Sequence, residues 1–354
     1  MIRWPRFGRR KALRPRSAAE RERALRRCLR CLVLGDGEAA EAEIVALVRA
    51  DSRDVELYLL LGRMARDAGD VGRAIRIHQN LLLRADLDTD QRTEALCALG
   101  SDLRSGGFLQ RAVASFEEAR ERTPRDVEVW RALAELYEEV GSFDEALTAR
   151  ERVLKSTGAS RAERAREAAR LWLAKGRAAH EAGREDEARR SLRKALSRDS
   201  GCVEARVLQG RLEAERGRSK QALSVWQSAV GANERVDGEV YPLIASAYAA
   251  LGRSAEFEKW LRERLEREPA DSGARAALAR LLAERGDRSD AIAELRRLLE
   301  GDPDHLEARA QLGRWLLEEG RQDEAAAELA GWLAAYERGA LSATEADRDP
   351  EAAS

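Results

Sequence analysis

Histidine, cysteine and aromatic side chains are scarce in this sequence: three histidines, four cysteines and 5% aromatics among 354 residues. None of the histidines sits in an H-E-x-x-H or comparable setting, so a helical zinc site has no spacing to rest on. Four unevenly spaced cysteines do not make a disulfide framework. Neither sign of charge is in excess, with 63 basic against 64 acidic residues and a net charge of −1. Bulk nucleic-acid binding needs a basic footprint that releases phosphate counterions, and the overall balance argues against it. Long apolar runs are missing too. The longest uncharged stretches, 221–233 and 240–252, hold 13 residues each, whereas a membrane-spanning helix needs roughly 20 apolar residues. Neither a phosphate-cradling G-x-x-x-x-G-K-[ST] loop nor a G-x-S-x-G elbow occurs. The chain therefore reads as a non-enzyme with no metal and no cofactor.

What the chain has in abundance is Ala, Leu, Glu and Arg, all strong helix formers, with only seven prolines. A pattern of a small residue, a glycine seven residues later and usually an alanine five further on recurs nine times. With the small residue set as position 8, the units start at 21, 55, 93, 127, 169, 203, 238, 272 and 306, and the steps are 34, 38, 34, 42, 34, 35, 34 and 34 residues. A 34-residue helix–turn–helix period belongs to the tetratricopeptide repeat (TPR). The expected fold is all-α, a right-handed TPR superhelical solenoid of about nine repeats over 19–338, between a basic arm at 1–18 and a disordered tail at 339–354.

Position 15 is glycine in all nine units, where a first helix must end in a left-handed backbone before the chain reverses. Position 8 is always small: Cys28, Gly62, Gly100, Ala134, Gly176, Gly210, Ala245, Ala279 and Gly313. Position 20 is alanine in eight units and Phe257 in the ninth. Positions 8 and 20 lie where the two helices of a repeat face each other, and bulk at both would force the axes apart. Pro124, Pro269 and Pro303 at position 32 stop second helices. The 38-residue step predicts a longer loop at 85–91. The 42-residue step predicts an extended first helix built from added residues within 158–168.

Residues 1–16 hold seven basic side chains, no acid, and Trp4 and Phe7 between them. Two readings stand: an arm that touches anionic lipid, and a solubilising tail, which Pro5, Gly8 and Pro15 favour by breaking any amphipathic helix. At the other end, Leu329, Trp332, Leu333 and Tyr336 either pack inward or offer a contact to a partner or a second copy. His78 falls at position 24, a core position, and reads as a packed histidine. Cys28 and Cys31 form a lone C-x-x-C at positions 8 and 11, where the repeat calls for small or apolar residues, and read as structural.

Function must then come from surface. TPR proteins hold partner segments on the concave face lined by their first helices. The candidate partner-binding groove consists of Arg63, Arg177, Arg211, Arg280 and Arg314 at position 9, with Glu56, Glu94, Glu128, Glu204, Glu239 and Glu307 at position 2. Guanidinium forks in such a row would grip partner carboxylates. Each of the five arginines also has an acid four residues on, so a self-neutralised, solvated face is the competing reading. Asparagines are confined to Asn80 and Asn233, off the first-helix groove, so the asparagine-based clamp for chaperone C-terminal tails is not expected.

Residues 73–79, Arg-Ala-Ile-Arg-Ile-His-Gln, are followed by Asp90-Gln91-Arg92 and Leu99-Gly100-Ser101-Asp102. With the long fourth-to-fifth step and Ala255-Glu256-Phe257, this resembles the lipopolysaccharide assembly protein B family over residues 36–335. The resemblance implies a cytoplasmic adaptor at the inner membrane that presents an early lipid A biosynthesis enzyme to a membrane protease. The family's transmembrane helix and its rubredoxin-like domain with paired C-x-x-C motifs have no counterpart in this sequence. A scaffold in another bacterial assembly, such as secretion or pilus biogenesis, is the alternative.

Overall fold

The computed structural model describes residues 18–231 and 234–346; the basic arm and the last eight residues lie outside them. The chain divides into two compact units, 1–175 and 176–354. The first holds α1 (Ala18–Val33), α2 (Gly37–Ala50), α3 (Val55–Asp67), α4 (Val71–Leu82), α5 (Thr89–Ser105), α6 (Leu109–Arg122), α7 (Val127–Glu139) and α8 (Phe143–Ser156). The boundary falls inside α9 (Arg161–Glu181). The second holds α10 (Glu185–Arg198), α11 (Val203–Glu215), α12 (Ser219–Gln227), α13 (Glu234–Ala250), α14 (Ser254–Arg267), α15 (Ser272–Arg285), α16 (Arg288–Gly301), α17 (Leu306–Glu318) and α18 (Gln322–Ala346). Among the described residues there is no strand. Odd-numbered helices are the first helices of the nine repeats and even-numbered ones the second.

The turn inside each repeat follows from one backbone requirement. All nine position-15 glycines have positive φ, from 66° at Gly252 to 99° at Gly286, and no other residue type does among the described residues. The amide beyond the glycine returns to the helix it leaves. Phe108 N–H donates to Leu103 O at 2.8 Å and Ser142 N–H to Tyr137 O at 2.7 Å. These bonds satisfy carbonyls that the helix end would otherwise orphan. Helix starts are held by Asp36, Asp54, Asp70, Asp88, Asp126 and Asp271, whose carboxylates accept from the first turn. His305 does the same with Nδ1, which accepts from Ala308 N–H at 3.2 Å.

The two helices of a repeat approach through position 8. A Cβ placed on Gly100 would lie 2.5 Å from the Phe116 ring, and on Gly62 and Gly210 it would overlap the rings of His78 and Trp226. On Gly176 and Gly313 its nearest neighbours would be Leu192 and Leu329, at 3.1 and 3.4 Å. The bulky partner is at position 24 each time, and rings occur there only opposite glycine. Where position 8 is Cys28, Ala245 or Ala279, its register partner is Ile44, Leu261 or Leu295. The core of each unit is thus a file of matched small and large side chains, with Phe116, Leu133 and Leu171 buried in the first and Trp226, Ile244 and Leu312 in the second.

The two long steps resolve differently. The loop expected at 85–91 occupies residues 83–88 instead, because a capping box between Asp88 and Gln91 starts α5 at Thr89 and makes it 17 residues long. The added residues of the other step are helical and make α9 21 residues long. A second capping box opens that segment: Glu163 N–H donates to Ser160 Oγ at 3.1 Å, and Ser160 N–H to Glu163 Oε2 at 2.6 Å. At the C-terminal end, α18 continues to Ala346, past the boundary read at 338.

Two glycine-to-alanine substitutions separate the packing effect from helix propensity. Gly313→Ala adds a methyl at ordinary contact distance and is expected to raise the urea midpoint, since alanine is favoured over glycine in a helix by about 1 kcal/mol. Gly210→Ala drives a methyl into the Trp226 indole and is expected to lower stability by about 1–3 kcal/mol. Equal shifts of the same sign in urea unfolding would contradict this account of position 8.

Candidate functional site

Positions 2 and 9 of a first helix are seven residues, or two turns, apart, and so share one face. All eleven candidate groove residues are solvent-exposed and lie on first helices. In the first unit these are Glu56 and Arg63 on α3, Glu94 on α5 and Glu128 on α7. In the second they are Arg177 on α9, Glu204 and Arg211 on α11, Glu239 on α13, Arg280 on α15, and Glu307 and Arg314 on α17.

Among the described residues, three of the five arginines are ion-paired within this face and two are not. Only Arg63 and Arg314 reach the acid four residues on, Asp67 at 3.7 Å and Glu318 at 3.8 Å. Arg211 turns instead to Glu239 on the next first helix, at 3.5 Å. Glu215 faces His180 Nε2 at 3.5 Å, and Glu318 is also held by Arg288 at 3.2 Å. Among the described residues, Arg177 and Arg280 have no ion-pair partner, nor do Glu56, Glu94, Glu204 and Glu307.

Sequence reasoning missed a ladder of ion pairs between successive first helices. In the first unit Arg104 on α5 donates to Glu135 Oε2 and Glu139 Oε1 on α7, at 2.8 and 2.9 Å. Both carboxylates raise the guanidinium pKa further. Glu138 on α7 takes Arg150 of α8 at 2.7 Å and Arg170 of α9 at 2.8 Å, and Arg170 also donates to Glu167 at 2.9 Å. The Arg170 hydrogen bond holds the Glu167 carboxyl below its usual range. This four-membered cluster fastens the N-terminal half of α9 to the repeat before it. The available signal was Arg66 and Arg104, both at position 12 and both opposite acids of the next unit.

Arg66 leads to a buried polar centre. His78 and Asp102 are each 0% exposed, and His78 Nδ1 donates to Asp102 Oδ2 at 2.5 Å. The other carboxylate oxygen accepts from Arg66 at 2.9 Å. His78 is packed, as its register position implied. Its partner sits at position 10 of the following unit, which is otherwise mostly apolar. Cys28 is buried in the first-unit core, and burial pushes its thiol pKa up. Burial drives the Cys97 thiol up to about 12. Among the described residues no three His, Cys, Asp or Glu side chains are grouped to hold a metal ion, and no helix is long and apolar enough to cross a membrane. On α18, Leu333 and Tyr336 stay 52% and 53% exposed, while Tyr336 stacks on Trp332 at 5.5 Å.

Family models described as tetratricopeptide repeat match residues 32–87, 97–161, 169–202 and 282–347. The chain is a tetratricopeptide repeat protein. This TPR chain is 28% identical to lipopolysaccharide assembly protein B of Escherichia coli (strain K12) over 247 residues, 69% of its own length and 62% of that protein. It is 27% identical to the Haemophilus influenzae protein of the same name over 243 residues, 68% and 59% of the two lengths. It thus spans less than two thirds of either relative. Similar solved structures include MamA, with TM-score 0.38 and 23% identity over 51% of this chain and 92% of that one. Naa15/Naa10 bound to HypK-THB gives TM-score 0.44 and 15% identity over 89% and 63%.

Two outcomes test the buried chemistry of this TPR protein. Removing one member of a buried ion pair strands the other, so Asp102→Ala is expected to lose about 3–5 kcal/mol in urea unfolding. Placing the neighbouring repeat's own pair there, His78→Phe with Asp102→Leu, is expected to restore most of it. In the native protein near pH 8 the Cys97 thiol stays protonated. Its alkylation by iodoacetamide is expected to run about a hundredfold or more slower than in denaturant, where thiols titrate near about 8.5. Peptide mass mapping reads this, and equal rates would refute the burial argument.

Proposed function

We propose that the protein is a non-enzymatic adaptor that holds a polypeptide segment of a client on its first-helix face. The observation that supports this most is the state of that face. Charged side chains project from the same two register positions repeat after repeat, and several lack partners among the described residues. A row of this kind suits recognition by charge-assisted hydrogen bonds. The fully buried His78 and Asp102 are consumed in a pair with each other rather than gathered around an open cleft.

The similarity to lipopolysaccharide assembly protein B supports a role in envelope regulation: presentation of a lipid A biosynthesis enzyme to a membrane protease. In this reading the protein works at the cytoplasmic face of the inner membrane, with the arm at 1–16 in contact with anionic lipid. Charge reversal of Arg177, Arg211 and Arg280 together leaves the core untouched, since all three are exposed. The triple variant is expected to keep its circular dichroism spectrum and to lose most of the partner captured by the intact protein in a pull-down. In cells, it is expected to change lipopolysaccharide levels and the lifetime of the biosynthetic enzyme. Full capture by the triple variant would refute the groove assignment, and unchanged lipopolysaccharide would point to a scaffold in another assembly.

A further inference from the structure

In the second unit the charged pattern at positions 9 and 13 of the first helices has one interruption. In the second unit α11, α15 and α17 carry arginine at position 9 and glutamate at position 13: Arg211 and Glu215, Arg280 and Glu284, Arg314 and Glu318. On α13 the same positions are Ser246 and Ala250, and positions 5 and 12 are Pro242 and Ala249. All four are exposed. They belong to the uncharged stretch 240–252 of a chain in which 36% of residues are charged. That stretch has no role in spanning a membrane, and its inner side is already spent on the core through Val240, Ile244 and Ala247. Its outward side is left unexplained by packing.

A surface pocket opens there, lined by residues of α13, α14 and α15, with Pro242, Ala249, Phe257 and Leu281 on its apolar side and two charged residues, Arg280 and Glu284, which do not pair with each other. The wall behind it is fixed. Tyr241 Oη donates to Asp271 Oδ2 at 2.6 Å, and Arg264 Nε donates to the same oxygen at 2.8 Å. Gln227 Nε2 donates to Tyr248 Oη at 3.0 Å, and the Tyr248 ring packs on Phe257 at 5.3 Å. A pocket held this way needs little reordering when filled, which favours binding. Arg280, exposed and without an ion-pair partner among the described residues, supplies a fork for a carboxylate.

We infer that this pocket receives a bulky apolar side chain of a partner polypeptide, with an aspartate or glutamate beside it in the partner bound to Arg280. The inference deepens the adaptor reading above and rests on it. Exposed ion pairs contribute little net affinity, whereas anchors seated in desolvated apolar pockets carry most of it. The small side chains of α13 let a partner approach closely, and Arg280 fixes which end of the dipeptide faces α15.

The test uses the full chain and a short fluorescein-labelled Gly/Ser peptide carrying one Phe-Asp pair, read by fluorescence anisotropy. Saturable binding is expected. It weakens about tenfold or more when the peptide's Phe becomes Ala or its Asp becomes Lys, and similarly in Ala249→Glu and Arg280→Glu protein. Ser246→Glu, also at an exposed position, replaces Ala249→Glu if the latter loses helical signal. Arg122→Glu, exposed on the second helix α6 and outside the groove, is expected to bind as the unchanged protein does. Binding no tighter than that of a Gly/Ser peptide without the pair, or full binding by the folded pocket variants, would overturn the inference. Whole-client capture that remains sensitive to groove charge reversal while the peptide fails would leave the adaptor reading standing and remove only this one.

Discussion

The close approach of two helices at position 8 is the constraint on which the rest of this structure depends. Short helices of 12–17 residues are marginal alone and are held by burial against neighbours. Burial is possible only if the second helix can lay a large side chain across the first. Glycine at position 8 admits rings, as with Phe116 on Gly100 and Trp226 on Gly210. Once that contact is fixed, the helix rotates into one orientation. Positions 3 and 7 then turn toward the core, as Val129 and Leu133 do, while positions 2 and 9 turn away, as Glu128 does. The charged first-helix face is thus a by-product of the packing rule, which explains why its residues can vary in charge without disturbing the fold.

One repeat interface departs from apolar packing. His78 at position 24 and Asp102 at position 10 of the next unit stand where the following pair of repeats has Phe116 and Leu136. Burying charge is unfavourable unless it is fully partnered. Here the imidazole and the Arg66 guanidinium each take one carboxylate oxygen. The arrangement adds little to stability compared with an apolar pair. It does add direction, because an apolar contact tolerates a slip between repeats, whereas a stranded carboxylate does not.

Much of the fold was legible because its determinants are local. The glycine period, the small residue at position 8 and the helical character of the added residues before Ala169 all follow from residues within one unit. The start of α5 was misplaced by reading Asp88 and Gln91 as loop, although an acid followed three residues later by glutamine is a helix-start signal. The ion pairs were read least well. Helical spacing suggested that Arg211 would meet Glu215, but Glu239 on the neighbouring first helix competes, and Glu215 faces His180. A contact between helices 28 residues apart in sequence depends on how repeats stack, which periodicity alone does not carry. The packed character of His78 was readable from its register, and its carboxylate partner was not.

The division of labour on the first-helix face follows from the same physics. Paired, exposed charges exchange water for each other at almost no gain, so arginines such as Arg63 and Arg314, already near Asp67 and Glu318, offer a partner little that is new. They set the sign of the local field and hence the speed and selectivity of encounter. Arg177 and Arg280 differ because no carboxylate among the described residues forms an ion pair with them. Tight holding needs apolar area that water leaves, and on the second unit's face that area is concentrated where α13 drops its charges. A stretch that looked merely too short for a membrane is therefore better understood by its outward half. It is the part of the face with the most apolar area to desolvate, beside Arg280, which can pair with a partner carboxylate.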